Sequence, residues 1–252
     1  MVEQVANAQN RYKDKVCFLT GGTTGIGLAI AQLMALEGGS VIISSSQEKN
    51  VEEALQKMKG LKVEGLVCDV SKSEDRKKAV AFVAEKHGRV DVVVLNAGIN
   101  GSLVTPNVLV PEDKLDRLYQ VNLKGVFMLI QGFYPLLKNS PKDPNILVTS
   151  SITAKTGPAL AGPYAFFKAA LDNMVLSMQR EFLRDKIRIN AINPGLIETE
   201  LAGPILKHRD KLKPEQIGQP HHIACFVGVI CSEAGQFMRG STVVIDGMYG
   251  RL

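Results

Sequence analysis

Val16-Cys17-Phe18-Leu19-Thr20-Gly21-Gly22-Thr23-Thr24-Gly25-Ile26-Gly27 decides the reading of this chain. Residues 16–19 form an apolar run that suits a buried strand. A glycine-rich turn follows, and Ile26, Ile30, Leu33 and Met34 then fall at helical spacing. The order is strand, tight turn, helix start. Glycine lets the backbone turn sharply and lets a ligand come close. The helix N-terminus offers unpaired N–H groups and a partial positive charge, which suit a pyrophosphate. An ordinary strand-to-helix loop is the competing explanation. The strand and helix on either side of the glycines favour the nucleotide.

Outward from this stretch, helix and strand signals alternate. Gly38-Gly39 ends the first helix, and a second strand spans 41–43. A helix over 51–58 leads to a third strand over 61–68, closed by Asp69. Ser71 is expected to cap a helix that runs to His87. The fourth strand, 90–95, is apolar except at Asp91, as a strand covered on both faces should be. One long helix is predicted over 112–137, then a strand over 145–149. Leu171, Met174, Val175, Met178 and Phe182 mark the next helix. A sixth strand over 187–192, a helix over 223–230 and a short strand over 242–245 complete the chain. This alternation predicts an α/β fold, a doubly wound parallel sheet with helices on both faces. No linker or composition break divides it, so residues 15–252 read as a single domain behind an N-terminal arm, 1–14, expected to be loose.

In such folds a ligand sits at the carboxyl ends of the strands. The sharp signals cluster there: 21–27, Asp69, Asn96-Ala97-Gly98, Ser150-Ser151 and Asn193-Pro194-Gly195. Each alone is ordinary turn chemistry. Five at successive strand ends point to a site.

Composition narrows the function classes. The 252 residues are 45% hydrophobic and 22% charged, enough for a sizeable core. The net charge is +5, with lysines scattered among acids, and no basic block with interleaved aromatics. Nucleic acid is therefore not an expected partner. No apolar run is long enough to span a bilayer, so no membrane is expected either. The polar start of the chain is not expected to be a secretory signal. Cys17, Cys68, Cys225 and Cys231 form no C-x-x-C pair and read as reduced thiols. His221 and His222 are adjacent, poor geometry for one metal, and no metal is expected.

Tyr164 and Lys168 stand four apart on a predicted helix and so share a face. A phenol normally titrates near 10, and an ammonium beside it is expected to lower that value. Such a pair can give a proton to a carbonyl oxygen or take one from an alcohol. Tyr134 and Lys138 repeat the spacing, so spacing does not choose between them. Context does. Ser151 lies thirteen residues before Tyr164, at a strand end, where a hydroxyl can hold a carbonyl. The equivalent position before Tyr134 is Val121.

These residues together resemble the short-chain dehydrogenase/reductase family, in its single-domain, Rossmann-type form. The resemblance covers 15–247. It rests on T-G-x-x-x-G-x-G at 20–27, N-A-G at 96–98, Asn122, Ser151, Tyr164, Lys168, and the Pro194-Gly195 turn with Thr199 beyond it. Within the family the chain is most similar to peroxisomal-type NADPH-dependent carbonyl and retinal reductases. The resemblance implies that Tyr164 is the acid/base, that Lys168 lowers its pKa and bonds the nicotinamide ribose, and that Ser151 orients the carbonyl. Asn122 would hold a water that links Lys168 to solvent, or serve as a helix-kink residue satisfied by backbone, or both. Gly21, Thr23, Thr24, Gly25, Ile26 and Gly27 would cradle the pyrophosphate. Asp69 and Val70 would meet the adenine, and Asn96, Ala97 and Gly98 the adenosine ribose. Pro194, Gly195, Ile197 and Thr199 would hold the carboxamide. The chain departs from the family pattern at Leu95, at Phe167 and at Met248, where asparagine, serine and glycine are common.

An acid at the end of the second strand would select NAD. That slot holds Ser45, and Ser46 follows where NADPH-preferring relatives often carry arginine. Hydroxyl donors without repulsion favour NADP(H), with NAD(H) as the alternative. The implied function is hydride transfer between NADP(H) and a small-molecule carbonyl or alcohol. Two alternatives stand: a 3-oxoacyl-thioester reductase, and a non-catalytic subunit of a larger assembly that keeps the fold. Residues 200–219 are expected to form a lid with an apolar lining. The resemblance implies a homodimer or homotetramer. Phe166, Phe167 and Leu176 add apolar surface on the later helix, off its core stripe. The Arg251-Leu252 end matches a peroxisomal signal only in part. A cytoplasmic location is expected, with peroxisome or mitochondrion as alternatives.

Overall fold

The computed structural model describes residues 10–101 and 105–251. Residues 1–9 of the expected arm, and Leu252 of the terminal signal, lie outside them. The elements in order are β1 (Val16–Thr20), α1 (Gly25–Leu36), β2 (Ser40–Ser45), α2 (Glu48–Lys57), β3 (Val63–Val67), α3 (Ser73–His87) and β4 (Val92–Leu95). Then come α4 (Glu112–Tyr119), a π-helical turn (Gln120–Lys124), α5 (Gly125–Lys138), β5 (Asn145–Thr149), α6 (Thr153–Thr156), α7 (Gly162–Phe182) and β6 (Arg188–Pro194). The chain closes with β7 (Leu196–Ile197), α8 (Gly203–Leu206), β8 (Ile217–Gly218), α9 (Pro220–Ile230) and β9 (Thr242–Ile245), among short 3-10 turns.

Seven strands form one parallel sheet in the order β3-β2-β1-β4-β5-β6-β9. The direction of travel reverses between β1 and β4, which opens the crevice in which such sheets bind ligands. Alternate residues of each strand enter different cores. Phe18, Ile42 and Val93 pack with α3, α5 and α7. Cys17, Leu19, Ile43 and Val94 pack with α1 and α9. Both faces are covered, so the strands read as unbroken apolar runs.

Four details differ from the sequence expectation. The arm is packed from Arg11 onward: the Tyr12 side chain is fully buried, its hydroxyl donates to the Gly228 carbonyl at 3.0 Å, and Arg11 pairs with buried Glu37. Ser71 does not cap α3. Its hydroxyl donates to Asp69 Oδ1 at 2.7 Å, and the helix begins two residues later. The long helix over 112–137 is interrupted by the π-turn at Asn122. The third strand is shorter than 61–68.

Buried charge holds the opposite end of the sheet. Asp91 accepts the Val16 N–H at 2.6 Å and also bonds Ser140 and Arg89. Arg188, fully buried, forks onto Asp143 at 2.7 and 3.0 Å and donates to the Ile230 and Gly235 carbonyls. With the sheet closed there, the groups able to meet a ligand are left at the carboxyl ends.

Candidate active site

The glycine turn is built by packing as much as by its own sequence. Gly21 and Gly25 take φ values of +59° and +51°, the left-handed region that other residues enter at a cost. A Cβ on Gly27 would stand 2.0 Å from the Gly21 carbonyl oxygen, so α1 can start this close to the turn only with glycine there. Asn96 Nδ2 donates to that same carbonyl at 3.0 Å, and the Thr20 hydroxyl accepts the Asn96 and Ala97 N–H groups. The end of β4 is thus clamped onto the turn. Thr24 makes no side-chain cap on α1, which leaves the first-turn N–H groups for a ligand.

A cleft of about 490 Å³ opens above these ends. Gly21, Thr24, Gly25 and Ile26 line it on one side, and Asn96, Ala97 and Gly98 along its floor. Ser151, Tyr164 and Lys168 line it beyond, with Pro194, Gly195, Ile197 and Thr199 opposite. Most of the residues expected to hold a dinucleotide, and three of the four expected to carry the chemistry, therefore share one space. Gly27 lies behind the lining against the Gly21 carbonyl and Asn122 against Gly98, while Thr23 is buried outside it. Ser45, Ser46, Asp69 and Val70 lie outside the lining, at the ends of β2 and β3. The Ser45 hydroxyl accepts the Gln47 N–H at 3.3 Å, and Ser46 is exposed. The Asp69 carboxylate is shared by the Ser71 N–H and hydroxyl and by Arg117 at 3.3 Å. These bonds hold its pKa below the ordinary value although partial burial opposes them. The Val70 carbonyl is taken by Arg76.

The proton-handling group is assembled by α7 against β5. Lys168 Nζ lies 5.6 Å from the centre of the Tyr164 ring and donates to the Thr149 carbonyl at 2.7 Å. The Ser150 hydroxyl donates to the Lys168 carbonyl, tying the helix to the strand end. Burial pushes the Tyr164 phenol above its ordinary value, and the polar Ser151 side chain works against that. Burial pushes the Lys168 ammonium down to about 8, against the pull of Asp172. The raised phenol is opposite to the lowered one expected from the sequence. Desolvation dominates at the phenol, and the Lys168 ammonium directs a hydrogen bond to the Thr149 carbonyl.

Asn122 is fully buried. Its Oδ1 accepts the Ile99 N–H at 2.9 Å and its Nδ2 donates to the Ile99 carbonyl at 2.8 Å. This is the backbone-satisfied helix residue foreseen as one option, and its amide clamps the strand end across the π-turn. A Cβ on Gly98 would stand 3.3 Å from Asn122 Oδ1 and 3.6 Å from Lys168 Nζ. Both polar groups therefore border the small space that Gly98 leaves.

A family model, short chain dehydrogenase, matches residues 15–210. The chain belongs to the short-chain dehydrogenase family. Tropinone reductase-like 3 of Erythroxylum coca is 34% identical over 247 residues, 94% of this chain and 93% of that protein. Dehydrogenase/reductase SDR family member 4 of Bos taurus is 34% identical over 251 residues, 95% of this chain and 88% of that one. Two solved Brucella melitensis structures superpose with TM-scores of 0.88 each. The first, a short-chain glucose/ribitol dehydrogenase, is 28% identical and covers 95% of this chain and 98% of its own. The second, a 3-ketoacyl-(acyl-carrier-protein) reductase complexed with NADH, is 27% identical and covers 94% and 99%. The chain is accordingly an NAD(P)-dependent oxidoreductase acting on CH–OH or C=O groups.

Of the segment over 200–219 expected to form a lid, this short-chain dehydrogenase places Glu200, Leu201, Ala202 and Ile205 against the cleft. β7 and β8 pair in parallel at the two ends of the segment, and the Glu198 carboxylate joins Arg209 and Gln219 there. Leu201, Ala202 and Ile205 form the apolar part of that cleft wall. Asn100 Nδ2 reaches the Leu201 carbonyl, and Tyr249 lines the cleft from the C-terminal tail. Neither was visible in the sequence, because each meets the site only through the folding of a loop or tail. Asp172 was within reach of it, since 164, 168 and 172 are spaced to share one helical face. Among the described residues no helix is long and apolar enough to cross a membrane.

Proposed function

We propose that this protein is an NADP(H)-dependent carbonyl reductase whose proton transfer runs through Tyr164, Lys168, Ser151 and Asn122. The observation that carries the reading is the meeting of the Ser151 hydroxyl, the Tyr164 phenol and Lys168 in the cleft that the glycine turn also lines. The cradle suits a dinucleotide: left-handed glycines, uncapped first-turn amides and an open floor at Gly98. Gly21, Thr24, Gly25 and Ile26 would hold the pyrophosphate, Asp69 and Val70 the adenine, Ser45 and Ser46 the 2′-phosphate, and Ile197 and Thr199 the carboxamide. NADP(H), when bound, supplies or accepts the hydride.

The chain's own part is proton transfer. Ser151 and Tyr164 donate hydrogen bonds to the carbonyl oxygen, and Tyr164 gives it the proton. The phenolate left behind is stabilised by the Lys168 ammonium. Water in the space between Asn122 Oδ1 and Lys168 Nζ returns the proton from solvent. The lid's Leu201 and Ile205 favour an apolar substrate. The protein works as a homodimer or homotetramer in the cytoplasm, through the exposed apolar residues of α4, α5 and α7. Fluorescence titration with NADPH and NADH, then turnover on ketones, retinal and acetoacetyl thioesters, tests this. Tight NADPH binding with ketone turnover is expected. Binding without turnover of any of them would make it a non-catalytic subunit.

A second reading, a 3-oxoacyl-thioester reductase, draws on the likeness to the 3-ketoacyl-(acyl-carrier-protein) reductase structure. It uses the same proton-transfer residues. Preference for the thioester over the simple ketone would select it.

A further inference from the structure

Asp172 lies one helical turn beyond Lys168 on α7 and is 9% exposed. A carboxylate this buried is costly unless it is paired. It accepts Asn193 Nδ2 at 3.0 and 3.2 Å and pairs with Lys155 Nζ at 2.9 Å. Asn193, on β6, also donates to the Ser151 carbonyl at 3.0 Å. Lys155, on α6, also reaches the Thr242 hydroxyl at 3.1 Å. One carboxylate thus joins the helix of Tyr164 and Lys168, the main chain of Ser151 and the short helix at the cleft edge.

We propose that Asp172 is a positioning residue for the proton-transfer pair: its charge keeps Lys168 an ammonium, and through Asn193 it holds the Ser151 main chain in place. The inference rests on the reading of Tyr164 and Lys168 given above. Lys168 is buried among neutral groups. Its ammonium donates to the Thr149 carbonyl of β5, lies 5.6 Å from the centre of the Tyr164 ring, and borders the space at Gly98 that the Asn122 amide oxygen of the π-turn also borders. Among the described residues, Asp172 is the charged group that acts on it, and acts to raise its pKa against burial. Lys155 faces Asp172 from the far side, partly exposed, and offsets part of that negative charge.

This arrangement requires opposite effects from its two ends. Removing the anion lets Lys168 lose its proton at lower pH. Removing Lys155 leaves the anion uncompensated and holds the proton to higher pH. Lysine labelled with 13C at the ε carbon would follow Lys168 by NMR in the cofactor-free protein. Asp172→Asn should lower its midpoint by about one pH unit, the low end for a nearby opposite charge. Asp172→Glu should restore it, and Lys155→Met should raise it. The alkaline limb of kcat/KM for ketone reduction should move the same way in each variant. Equal shifts of one sign, or no shift, would overturn the inference, as would an Asp172→Glu protein that folds but titrates unlike wild type. Should Asp172→Asn fail to fold, Asp172→Glu and Lys155→Met still decide. If Lys168→Met instead keeps full turnover, the reading of the site fails, while the NMR midpoints still judge the link from Asp172 to Lys168.

Discussion

Lys138 Nζ stands 5.4 Å from the centre of the Tyr134 ring, nearly the 5.6 Å that separates Lys168 from Tyr164. The helix imposes the same geometry on both pairs. What differs is the surroundings. Tyr134 and Lys138 both spend their polar atoms on Asp185, away from the cleft. Tyr164 and Lys168 are buried in the cleft wall beside Ser151. Tyr164→Phe should therefore lower kcat at least about a hundredfold, the small end of a general-acid contribution, while NADPH still binds. Tyr134→Phe should leave turnover near wild type. Steady-state rates of the two variants check the choice, and equal losses would reverse it.

The ammonium of Lys168 makes a stability prediction. In the folded chain it titrates at about 8, against 10.5 when unperturbed. Between those values the unfolded chain holds the extra proton, so this group makes the protein more stable as pH rises. Lys168→Met lacks the effect. Its stability relative to wild type should fall by about 3 kcal/mol between pH 7 and 10.5. Urea unfolding of the cofactor-free proteins across that range measures it, and a constant difference would contradict the buried ammonium.

Ser45 ends β2 where a carboxylate would bond a free ribose 2′-hydroxyl and repel a 2′-phosphate. Ser45→Asp should move preference from NADPH towards NADH. The ratio of kcat/KM for the two cofactors in both proteins is the readout. A wild type already faster with NADH would remove the basis for it. Lys49 is a weak support for the phosphate, being exposed and paired at 3.8 Å with Glu53.

Apolar surface predicts assembly. Phe166 and Leu176 on α7 are 60% and 46% exposed, and Leu115, Tyr119 and Phe127 are exposed on α4 and α5. Phe167 instead turns towards Tyr119, with ring centres 6.0 Å apart. A second set, Phe226, Phe237 and Val244, lies towards the C-terminal end. Patches of this kind are usually covered, and two-fold contacts would cover both. Light scattering should give a multiple of 27.3 kDa, and Phe166→Glu should lower the mass. A monomer at micromolar concentration would leave these faces without that role.

The succession of strands and helices, their layering and the glycine turn were legible in the sequence because each rests on local rules. Apolar runs, helical spacing and turn glycines act over a few residues. The same rules put Tyr164 and Lys168 on one face and could have added Asp172. They could not tell that Ser71 bonds Asp69 rather than caps α3, since a hydroxyl in a turn has several local partners. Nor could they show the packed segment at Tyr12, whose partners lie more than two hundred residues away.

Taken alone, the sequence determined the fold class, the position of the crevice and the candidates for proton transfer. Ser151 already favoured Tyr164–Lys168 over the equally spaced Tyr134–Lys138 in the sequence; the tertiary structure added the burial of the first pair in the cleft wall and the engagement of the second by Asp185. It also reversed the expected direction of the Tyr164 phenol. Spacing reports which groups share a face, but a pKa depends on how much water the surrounding elements remove. That quantity belongs to α7, β5 and the π-turn together, and no segment carries it by itself.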